Sequence, residues 1–170
     1  MITVVLGTSP FPFNRAISWV GTLLEQGILK KDIFIQYGAS DISQLAKCSQ
    51  LSTAAFIAAS DMKANIEQSQ LVISHAGQGL TRFLADSKVP FVLLPRLARF
   101  GEHIDDHQLW FAEAVAQQGI HYCMSLEELE QAVRQPPDIL QSPLFEGPKL
   151  VDHLLKTYPT TSRKVPFLGQ

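Results

Sequence analysis

The chain has 170 residues, of which 46% are hydrophobic and 18% are charged, and its formal net charge at pH 7 is -2. This is the length of one ordinary domain, which can bury a core without disulfides or bound metal. The 14 basic residues do not cluster, which argues against binding to nucleic acid. No apolar run approaches the ~20 residues that span a bilayer, and the first residues do not resemble a signal peptide. Cys48 and Cys123 lack metal-site spacing, so we expect a cytoplasmic protein in which both are small core residues.

Short aliphatic runs alternate with segments of helical period, which is typical of parallel strands joined by helices. Strands are predicted in "ITVVL" and "IFIQY", and between them a helix from Asn14, its cap, to Gln26, with Gly27 closing it. A third strand is predicted in "TAAFIAA", followed by a short helix that Asp61 can cap. The first part of the chain therefore predicts a parallel sheet.

The same alternation continues through the strands "LVIS", "PFVLLP" and "IHYCM". A helix is predicted to start at Asp105 or Asp106 and to stop at Gly119. Ser125 and Glu128 form a capping-box pattern for the next helix, Leu126 to Arg134. The fold class predicted is α/β: a Rossmann-like parallel sheet with helices on both faces.

The composition changes after residue 135, because six of the ten prolines lie between positions 136 and 166. We therefore predict an α/β domain over residues 1–135 and a proline-rich tail over 136–170. Within the tail, "GPKLVDHLLKTY" has one apolar stripe and predicts an amphipathic helix that covers either this domain or another chain. The stripe consists of Leu150, Val151, Leu154 and Leu155.

A glycine-rich turn follows the strand "LVIS" in the sequence "SHAGQG". Its glycines would let backbone amides approach an anion, and a helix beginning near Gly79 would add its positive dipole end. In an open parallel sheet, ligands bind beyond the carboxyl ends of the strands, where this turn and the "GTSPF" loop both lie. A nucleoside diphosphate suits such a site. Alone, however, a short glycine turn is a weak signal, and His75 could equally be a polar surface residue.

A second polar stretch, "EHIDDHQ", follows the strand "PFVLLP" and a pair of arginines, Arg96 and Arg99. Two histidines and three carboxylates could bind zinc or manganese. They lack an H-E-x-x-H glutamate, and no second ligand cluster completes a closed site, so no metal is expected. Such a density of donors and acceptors is better suited to sugar hydroxyls, with the arginines available for phosphate or carboxylate.

Together these stretches resemble the carboxyl-terminal, nucleotide-sugar-binding half of family 28 glycosyltransferases of the GT-B fold. The resemblance rests on the order of "GT", "LVISHAGQG", "VPFVLLPR", "EHIDDHQ" and "EAVAQQG" over roughly residues 2 to 135. More narrowly, it is to the small subunits of two-component enzymes: the catalytic subunit of the dolichol-linked N-acetylglucosaminyltransferase and bacterial exopolysaccharide or capsule glycosyltransferase subunits.

The resemblance assigns roles to residues of both stretches and of the first loop. It implies diphosphate or nucleotide binding by Gly7, Thr8, Ser9, His75, Ala76, Gly77, Gln78, Gly79 and Arg96. It implies donor-sugar binding by Glu102, His103, Asp106, His107 and Gln108. Phe83 occupies the position where a related enzyme has the glutamate that holds the ribose, so the ribose contact must come from elsewhere.

The resemblance also implies an activity, the transfer of a hexose or hexuronic acid from a UDP-sugar to a lipid-linked polysaccharide intermediate. No cofactor is expected. A membrane-anchored, acceptor-binding partner subunit is expected to hold the chain at the inner face of the membrane and to contribute the catalytic base, with His75 as the local candidate. Two alternatives remain, a non-catalytic nucleotide-binding subunit that activates a partner and a UDP-sugar epimerase, which normally carries both domains in one chain.

Overall fold

The computed structural model describes residues 1–30, 32–45 and 51–141. In these residues six strands alternate with helices along the chain. The strands are β1 (Ile2–Val5), β2 (Ile33–Gln36), β3 (Leu51–Ala54), β4 (Leu71–His75), β5 (Phe91–Leu94) and β6 (His121–Tyr122). The α-helices are α1 (Asn14–Glu25), α2 (Ala59–Glu67), α3 (Gln78–Asp86), α4 (His107–Ala116) and α5 (Leu126–Arg134).

All strand pairs are parallel, and the strands lie in the order β3-β2-β1-β4-β5-β6. The register places Val5 of β1 level with Gln36 of β2 on one side and Ser74 of β4 on the other. After β3 the chain crosses over β1 and adds β4 on its other side. Strands β1 and β4 are therefore neighbours, and the loops that follow them run in opposite directions along the sheet. This is the position where open α/β sheets bind their ligands.

Helices cover both faces of the sheet, as predicted. Successive strand residues point to opposite faces, so Val4 joins a core with Val20 of α1 and Leu129 of α5. Val5 joins a second core with residues of α2, α3 and α4, among them Leu84 and Ala112. The prediction of a Rossmann-like α/β fold is confirmed.

The third strand lies earlier than the sequence predicted. The predicted strand segment is 53–59, whereas β3 ends at Ala54, which pairs with Gln36, and residues 55–59 leave the sheet. Helix α2 then begins at Ala59 after Ala58 as N-cap, so the prediction that Asp61 caps it is wrong. As an edge strand with Ser52 and Thr53 exposed, β3 lacks the continuous apolar run by which buried strands are recognised.

Three other helix ends test the predicted signals. Asn14 does not cap α1, because its Oδ1 accepts a hydrogen bond from the backbone N–H of Asp41 at 2.9 Å. Gly27, at φ +65°, follows the end of α1 as predicted. The capping box is confirmed, with Ser125 Oγ accepting from the N–H of Glu128 at 3.2 Å.

Around α4 the predicted elements are present but shorter. The helix begins after Asp106, one of the two predicted starts, and its last residue is Ala116, three residues before Gly119. Strand β6 has only His121 and Tyr122, because only these two residues pair with β5.

Cys48 and the predicted tail helix with its stripe of Leu150, Val151, Leu154 and Leu155 lie outside the described residues. The boundary at residues 135 and 136 therefore stays a prediction. Cys123 is buried in the first core, as predicted. Within the described ranges, no helix has the length and apolar character needed to cross a bilayer.

Candidate functional site

His75 and two glycines form the centre of the site at the ends of β1 and β4. The imidazole Nδ1 lies 3.3 Å from the carbonyl oxygen of Val5. A Cβ atom on Gly7 would come within 2.8 Å of the His75 ring, and one on Gly77 would overlap with its Nε2. Because Gly7 also has φ +81°, a side chain there would be strained on both counts. These two glycines make room for the imidazole between the two loops.

His75 is neutral at physiological pH. The pKa of its imidazole is lowered to about 4, chiefly by burial and to a smaller extent by the positive charge of Arg96, while the hydrogen bond with Val5 opposes the shift. A neutral imidazole can donate or accept a hydrogen bond, but one with so low a pKa is a weak general base. The low pKa of His75 therefore favours a role in positioning or hydrogen bonding over proton removal.

Gln36, at the end of β2, fixes the backbone of Gly7 in both directions. Its Oε1 accepts from the N–H of Gly7 at 2.9 Å, and its Nε2 donates to the carbonyl of Gly7 at 2.9 Å. The same Nε2 donates to the carbonyl of Ala55 at 2.7 Å. Gln36 is 2% exposed, so it ties the β1 and β3 loops together from inside. Sequence reasoning missed this residue, although a glutamine closing the strand "IFIQ" was a visible signal.

Helix α3 begins at the same place, directly after the glycine turn. Gly77 is its N-cap and makes no side-chain cap hydrogen bond, and the first turn contains no acidic residue. The first N–H groups of an α-helix have no partner within the helix. Groups of this kind, together with the helix dipole, can bind an anion, and Gln78 and Gly79 at this helix start are exposed.

A pocket of about 240 Å³ opens beside Gly7 and His75. Its other walls come from Thr8, Val5 and Gln36 and from an apolar group after β3 consisting of Phe56, Ile57 and Met62. Phe56 is 65% exposed, which is unusual for a large apolar side chain unless something packs on it. The sequence analysis missed this apolar wall because it assigned Phe56 and Ile57 to a strand and Met62 to the helix after it.

A larger groove of about 520 Å³ lies beside β6 and α5. Its walls are mainly polar residues of α5 and the segment after it, among them Glu128 and Gln131. Neither glycine turn contributes to it. Size alone therefore does not make this groove the site.

Arg96 is fully buried, so the expectation that its guanidinium is free for a phosphate is wrong for this structure. Its terminal nitrogens donate to the carbonyls of Leu6, Phe11 and Glu102 at 2.7 to 3.0 Å. Burial lowers the pKa of Arg96 to about 10, which still leaves it positively charged at pH 7, and Glu102 opposes the shift. Arg96 thus joins the β1 loop to the β5 loop and places a positive charge close enough to affect His75.

Glu102 is likewise buried and occupied. Its carboxylate accepts two hydrogen bonds from Arg15, at 2.9 and 2.8 Å, and one from the N–H of Leu97 at 2.9 Å. Arg15 lies over the rings of Trp19 and Phe100. The sequence predicted that Glu102 binds the donor sugar, whereas in this structure its carboxylate holds the loop after β5 through the N–H of Leu97. Its partner Arg15 was missed by the sequence analysis.

Among the remaining residues of the "EHIDDHQ" stretch, some side chains hydrogen-bond to the backbone of the loop after β5 and others are exposed. Asp106 accepts from the N–H of Ala98 at 2.8 Å, and Gln108 accepts from the N–H of Arg96 at 3.2 Å and is buried. His107 is exposed, and its Nδ1 lies 2.5 Å from Oδ1 of Asp105. The ring of His103 lies 5.8 Å from that of Phe11 in the β1 loop. Asp105 and His107 are therefore the polar members of this stretch with the most accessible side chains, at 48% and 47%, whereas His103 is 20% accessible.

Residues 1–142 match the glycosyltransferase family 28 C-terminal domain. The chain belongs to this family. No curated protein matches the chain significantly.

Solved glycosyltransferase structures support the fold of this family 28 domain. It is 22% identical to the MurG structure from Acinetobacter baumannii, with a TM-score of 0.54 over 78% of this chain and 40% of that one. For the glycosyltransferase SnogD from Streptomyces nogalater the identity is 17% and the TM-score 0.53, over 78% of this chain and 34% of the other. The solution structure of ALG13 is 16% identical with a TM-score of 0.55, over 84% of this chain and 89% of that one.

The family 28 domain spans only about a third to two fifths of the length of SnogD and MurG. The similarity establishes its place as the carboxyl-terminal half of a GT-B fold. Within the described residues, the structure brings the "GTS" loop, the "HAGQG" turn and the "EHIDDHQ" stretch to one edge of the sheet, as predicted. In this structure Arg96 and Glu102 hydrogen-bond to the backbone of these loops and hold them in place.

Proposed function

We propose that this family 28 domain is the donor-binding, catalytic subunit of a glycosyltransferase that uses a UDP-sugar. It would move a hexose or hexuronic acid to a lipid-linked polysaccharide intermediate. The observation that carries the proposal is the pocket at the switch between β1 and β4, which is lined by Gly7, Thr8, His75 and an apolar wall. Helix α3 begins at Gln78, three residues after His75, so its first amides lie next to this pocket in the chain. Membership of a glycosyltransferase family supplies the reaction class.

The apolar wall of the pocket suits the base of a nucleoside diphosphate, and the two glycine-containing loops suit its diphosphate. The exposed ring of Phe56, with Ile57 and Met62, provides an apolar surface on which a pyrimidine base can pack. The backbone amides of Gly7, Thr8 and Ser9 in one loop and of Ala76, Gly77, Gln78 and Gly79 in the other are proposed to hold the diphosphate. Arg96 would contribute its positive charge from beneath without touching the phosphates.

The donor sugar is proposed to lie over the start of α4. His103, Asp106 and His107 would contact its hydroxyls. Gln108 would do so through the part of its amide not engaged by the N–H of Arg96. Glu102 would act indirectly, by holding the loop through Arg15 and Leu97. Arg99 remains exposed and is the arginine that can reach a sugar carboxylate.

In the transfer, an acceptor oxygen bonds to the anomeric carbon of the sugar while the bond to UDP breaks. The negative charge that develops on the departing diphosphate would be stabilised by the amides of the glycine turn and by the α3 dipole. The transfer step itself is therefore proposed to need no cofactor. The acceptor proton requires a base, and the low pKa of His75 favours a base supplied by a partner subunit.

A membrane-anchored, acceptor-binding subunit is proposed as that partner, on the strength of the sequence resemblance to small subunits of two-component enzymes. The 89% coverage of the ALG13 structure supports the idea that a chain of this extent can exist as a unit. The partner would keep this domain at the inner face of the membrane.

The nucleotide claim is tested by thermal unfolding of the chain with UDP, ADP or GDP. A ligand that binds the native state raises the melting temperature by mass action. UDP is expected to give the largest shift. Equal shifts from all three diphosphates would reject the uridine assignment, and no shift from any of them would reject the nucleotide site.

The partner claim is tested with a radiolabelled UDP-sugar and membranes that hold the acceptor. Transfer is expected only when this chain and its partner are both present. A non-catalytic activator is the second candidate, favoured by the weak basicity of His75. Partner alone, supplied with UDP-sugar in excess, separates the two: residual transfer without this chain would support the activator, and its complete absence would support a donor-binding catalytic subunit.

A further inference from the structure

Three side chains that bind transition metals in proteins meet at the start of α4. They are His103, Asp105 and His107, and one ligand atom from each lies within 4.8 Å of the other two. Nδ1 of His107 is 2.5 Å and Nδ1 of His103 is 3.4 Å from the same carboxylate oxygen of Asp105. The rings of the two histidines contact each other edge to face, 4.4 Å apart. The fold thus gathers two imidazoles and one carboxylate around a single point.

We propose that His103, Asp105 and His107 form a binding site for Zn²⁺. The sequence analysis expected no metal because the stretch lacks an H-E-x-x-H glutamate and no second ligand cluster completes a closed site. A site with three protein ligands and an open position is the other common form of zinc site, and two histidines with one carboxylate are an established ligand set for it. The spacing H-x-D-x-H provides such a set within five residues.

The distances suit one metal ion after a small adjustment. Zinc lies about 2.0–2.2 Å from histidine nitrogens and carboxylate oxygens, so two ligands of one ion are at most about 4 Å apart. The present spread exceeds that value by less than 1 Å. Asp105 and His107 are exposed, with 48% and 47% of their side chains accessible, so rotation of these two side chains can close the difference.

Helix capping does not explain the whole cluster. Oδ1 of Asp105 accepts from the N–H of His107 at 3.2 Å, which accounts for Asp105 at a helix start. It does not account for His103, whose Nδ1 is shielded from solvent and makes no hydrogen bond within the described residues. A shielded polar atom is costly unless it is hydrogen-bonded, and the contact of this Nδ1 with Oδ1 of Asp105 at 3.4 Å is not a hydrogen bond. Its position beside the other two ligand atoms is explained if a metal ion binds there.

The open position would give the ion a function at the sheet edge. The site lies against Phe11 of the β1 loop through His103. A zinc ion with one free position binds an additional oxygen ligand, from water, a phosphate, a carboxylate or a hydroxyl. Each histidine would bind the ion through Nδ1, the nitrogen next to Asp105, and would keep Nε2 for the sugar hydroxyls proposed above. Metal binding by the chain alone does not depend on sugar transfer, so this proposal and the proposed function can fail separately.

The test is calorimetric titration of Zn²⁺ into the full chain after dialysis against a chelator. One equivalent is expected to bind, and His107→Ala, His103→Ala and Asp105→Asn should each weaken the binding by at least about tenfold. Titration with Co²⁺ in place of Zn²⁺ provides a second readout. The visible absorption of Co²⁺ at low coordination number should appear with the parent chain and be absent with these variants. Thermal unfolding without metal checks that each variant is folded.

The matched controls are two other histidines, His121 on β6 and His153. His121→Ala and His153→Ala should retain the full affinity and the Co²⁺ spectrum. The proposal is overturned if no stoichiometric binding occurs, or if folded His107→Ala and Asp105→Asn variants bind Zn²⁺ as the parent does. Loss of binding in a control variant alone would place the metal elsewhere and overturn it equally.

Discussion

The imidazole of His75 packs against Gly7 so closely that a Cβ atom on Gly7 would lie 2.8 Å from Cε1 of the ring. Gly77 also contacts the ring, and a Cβ atom there would overlap with Nε2. The glycine turn therefore has two roles: it holds a histidine between two loops, and it exposes backbone amides at the start of α3. Gly79 has no atom within 4 Å of where its Cβ would be, so it does not share the first role.

This difference gives a matched pair of substitutions, Gly77→Ala and Gly79→Ala. The first inserts a methyl group into the space of the His75 ring and should destabilise the fold by about 1–3 kcal/mol. The second places alanine in open space within a helix, where alanine is favoured over glycine by up to about 1 kcal/mol. Chemical denaturation of both variants measures the difference. Equal stability of the two would show that the ring and Gly77 are not packed as described.

The buried imidazole also predicts how stability depends on pH. The pKa of His75 is about 4 in the folded state against 6.5 for the free side chain, so the unfolded state binds the proton more tightly. The contribution is fully present above pH 6.5 and is lost as the pH falls toward 4, by about 3 kcal/mol in total.

Denaturation of the parent chain and of His75→Asn at pH 7, 5.5 and 4.5 measures that loss. Subtracting the variant removes the pH dependence of all other groups. The parent should lose more stability than the variant between pH 6.5 and 4.5. Parallel curves would mean that His75 titrates normally and is not buried.

The carboxylate of Glu102 provides a comparison between a buried and an exposed ion pair. Its pair with Arg15 has side chains only 3% and 14% accessible, whereas Glu130 and Arg134 form a pair with 33% and 60% accessible. Glu102→Ala should cost about 3 kcal/mol, because it leaves the largely buried charge of Arg15 without its counter-ion and the N–H of Leu97 without its acceptor. Glu130→Ala should cost no more than about 0.5 kcal/mol. Urea denaturation of the two variants checks the ratio, and similar losses would contradict the supporting role of Glu102.

The fold was predictable where burial alone decides it. Strands such as "LVIS" and "PFVLLP" are buried on both faces, so apolar runs between turn residues identified them. The edge strand β3 has exposed Ser52 and Thr53 and was misplaced, because its position depends on pairing with β2 and not on its own composition.

The site was predictable only as a set of converging loops. "SHAGQG" and "EHIDDHQ" were recognised because each has residues that no core requires. Which of them face a ligand depends on contacts distant in sequence: Arg96 is engaged by the carbonyl of Leu6, 90 residues away, and Glu102 by Arg15, 87 residues away. Spacing along the chain does not contain this information, so both were assigned to ligand.

The exposed His107 and the buried Gln108 should separate sugar contact from support. His107→Ala should weaken binding of the whole UDP-sugar while leaving UDP affinity nearly intact, because an exposed side chain assigned to the sugar touches neither phosphate nor base. Gln108→Ala should weaken the sugar contact too, but it also removes the acceptor for the N–H of Arg96 and should lower stability. Calorimetry with UDP and UDP-sugar in chelator-containing buffer measures the two affinities, and thermal unfolding measures the loss of stability in Gln108→Ala. A parallel fall of UDP affinity in His107→Ala would refute the sugar assignment.

Gln36 allows the most direct test of how the pocket is held, because a single side chain makes three hydrogen bonds to two loops. Gln36→Ala leaves the N–H and carbonyl of Gly7 without these partners, at a cost of about 1–3 kcal/mol for the buried groups. It should also reduce UDP affinity, since Gly7 and the segment after Ala55 both line the pocket. Gln118→Ala, on the exposed segment after α4, is the matched control and should change neither quantity.

Gln36→Glu sharpens the test, because it keeps the shape and the acceptor for Gly7 but replaces the donor with an oxygen. At pH 7 a buried carboxylate would then face the carbonyls of Gly7 and Ala55 and should be at least as destabilising as alanine. Its folded-state pKa would be raised, so its stability relative to the parent should recover as the pH falls and the protonated carboxyl donates one hydrogen bond again. Denaturation of both chains at pH 7 and pH 5 measures this. A Gln36→Glu variant as stable as the parent at pH 7, with unchanged UDP binding, would show that Gln36 does not hold the two loops.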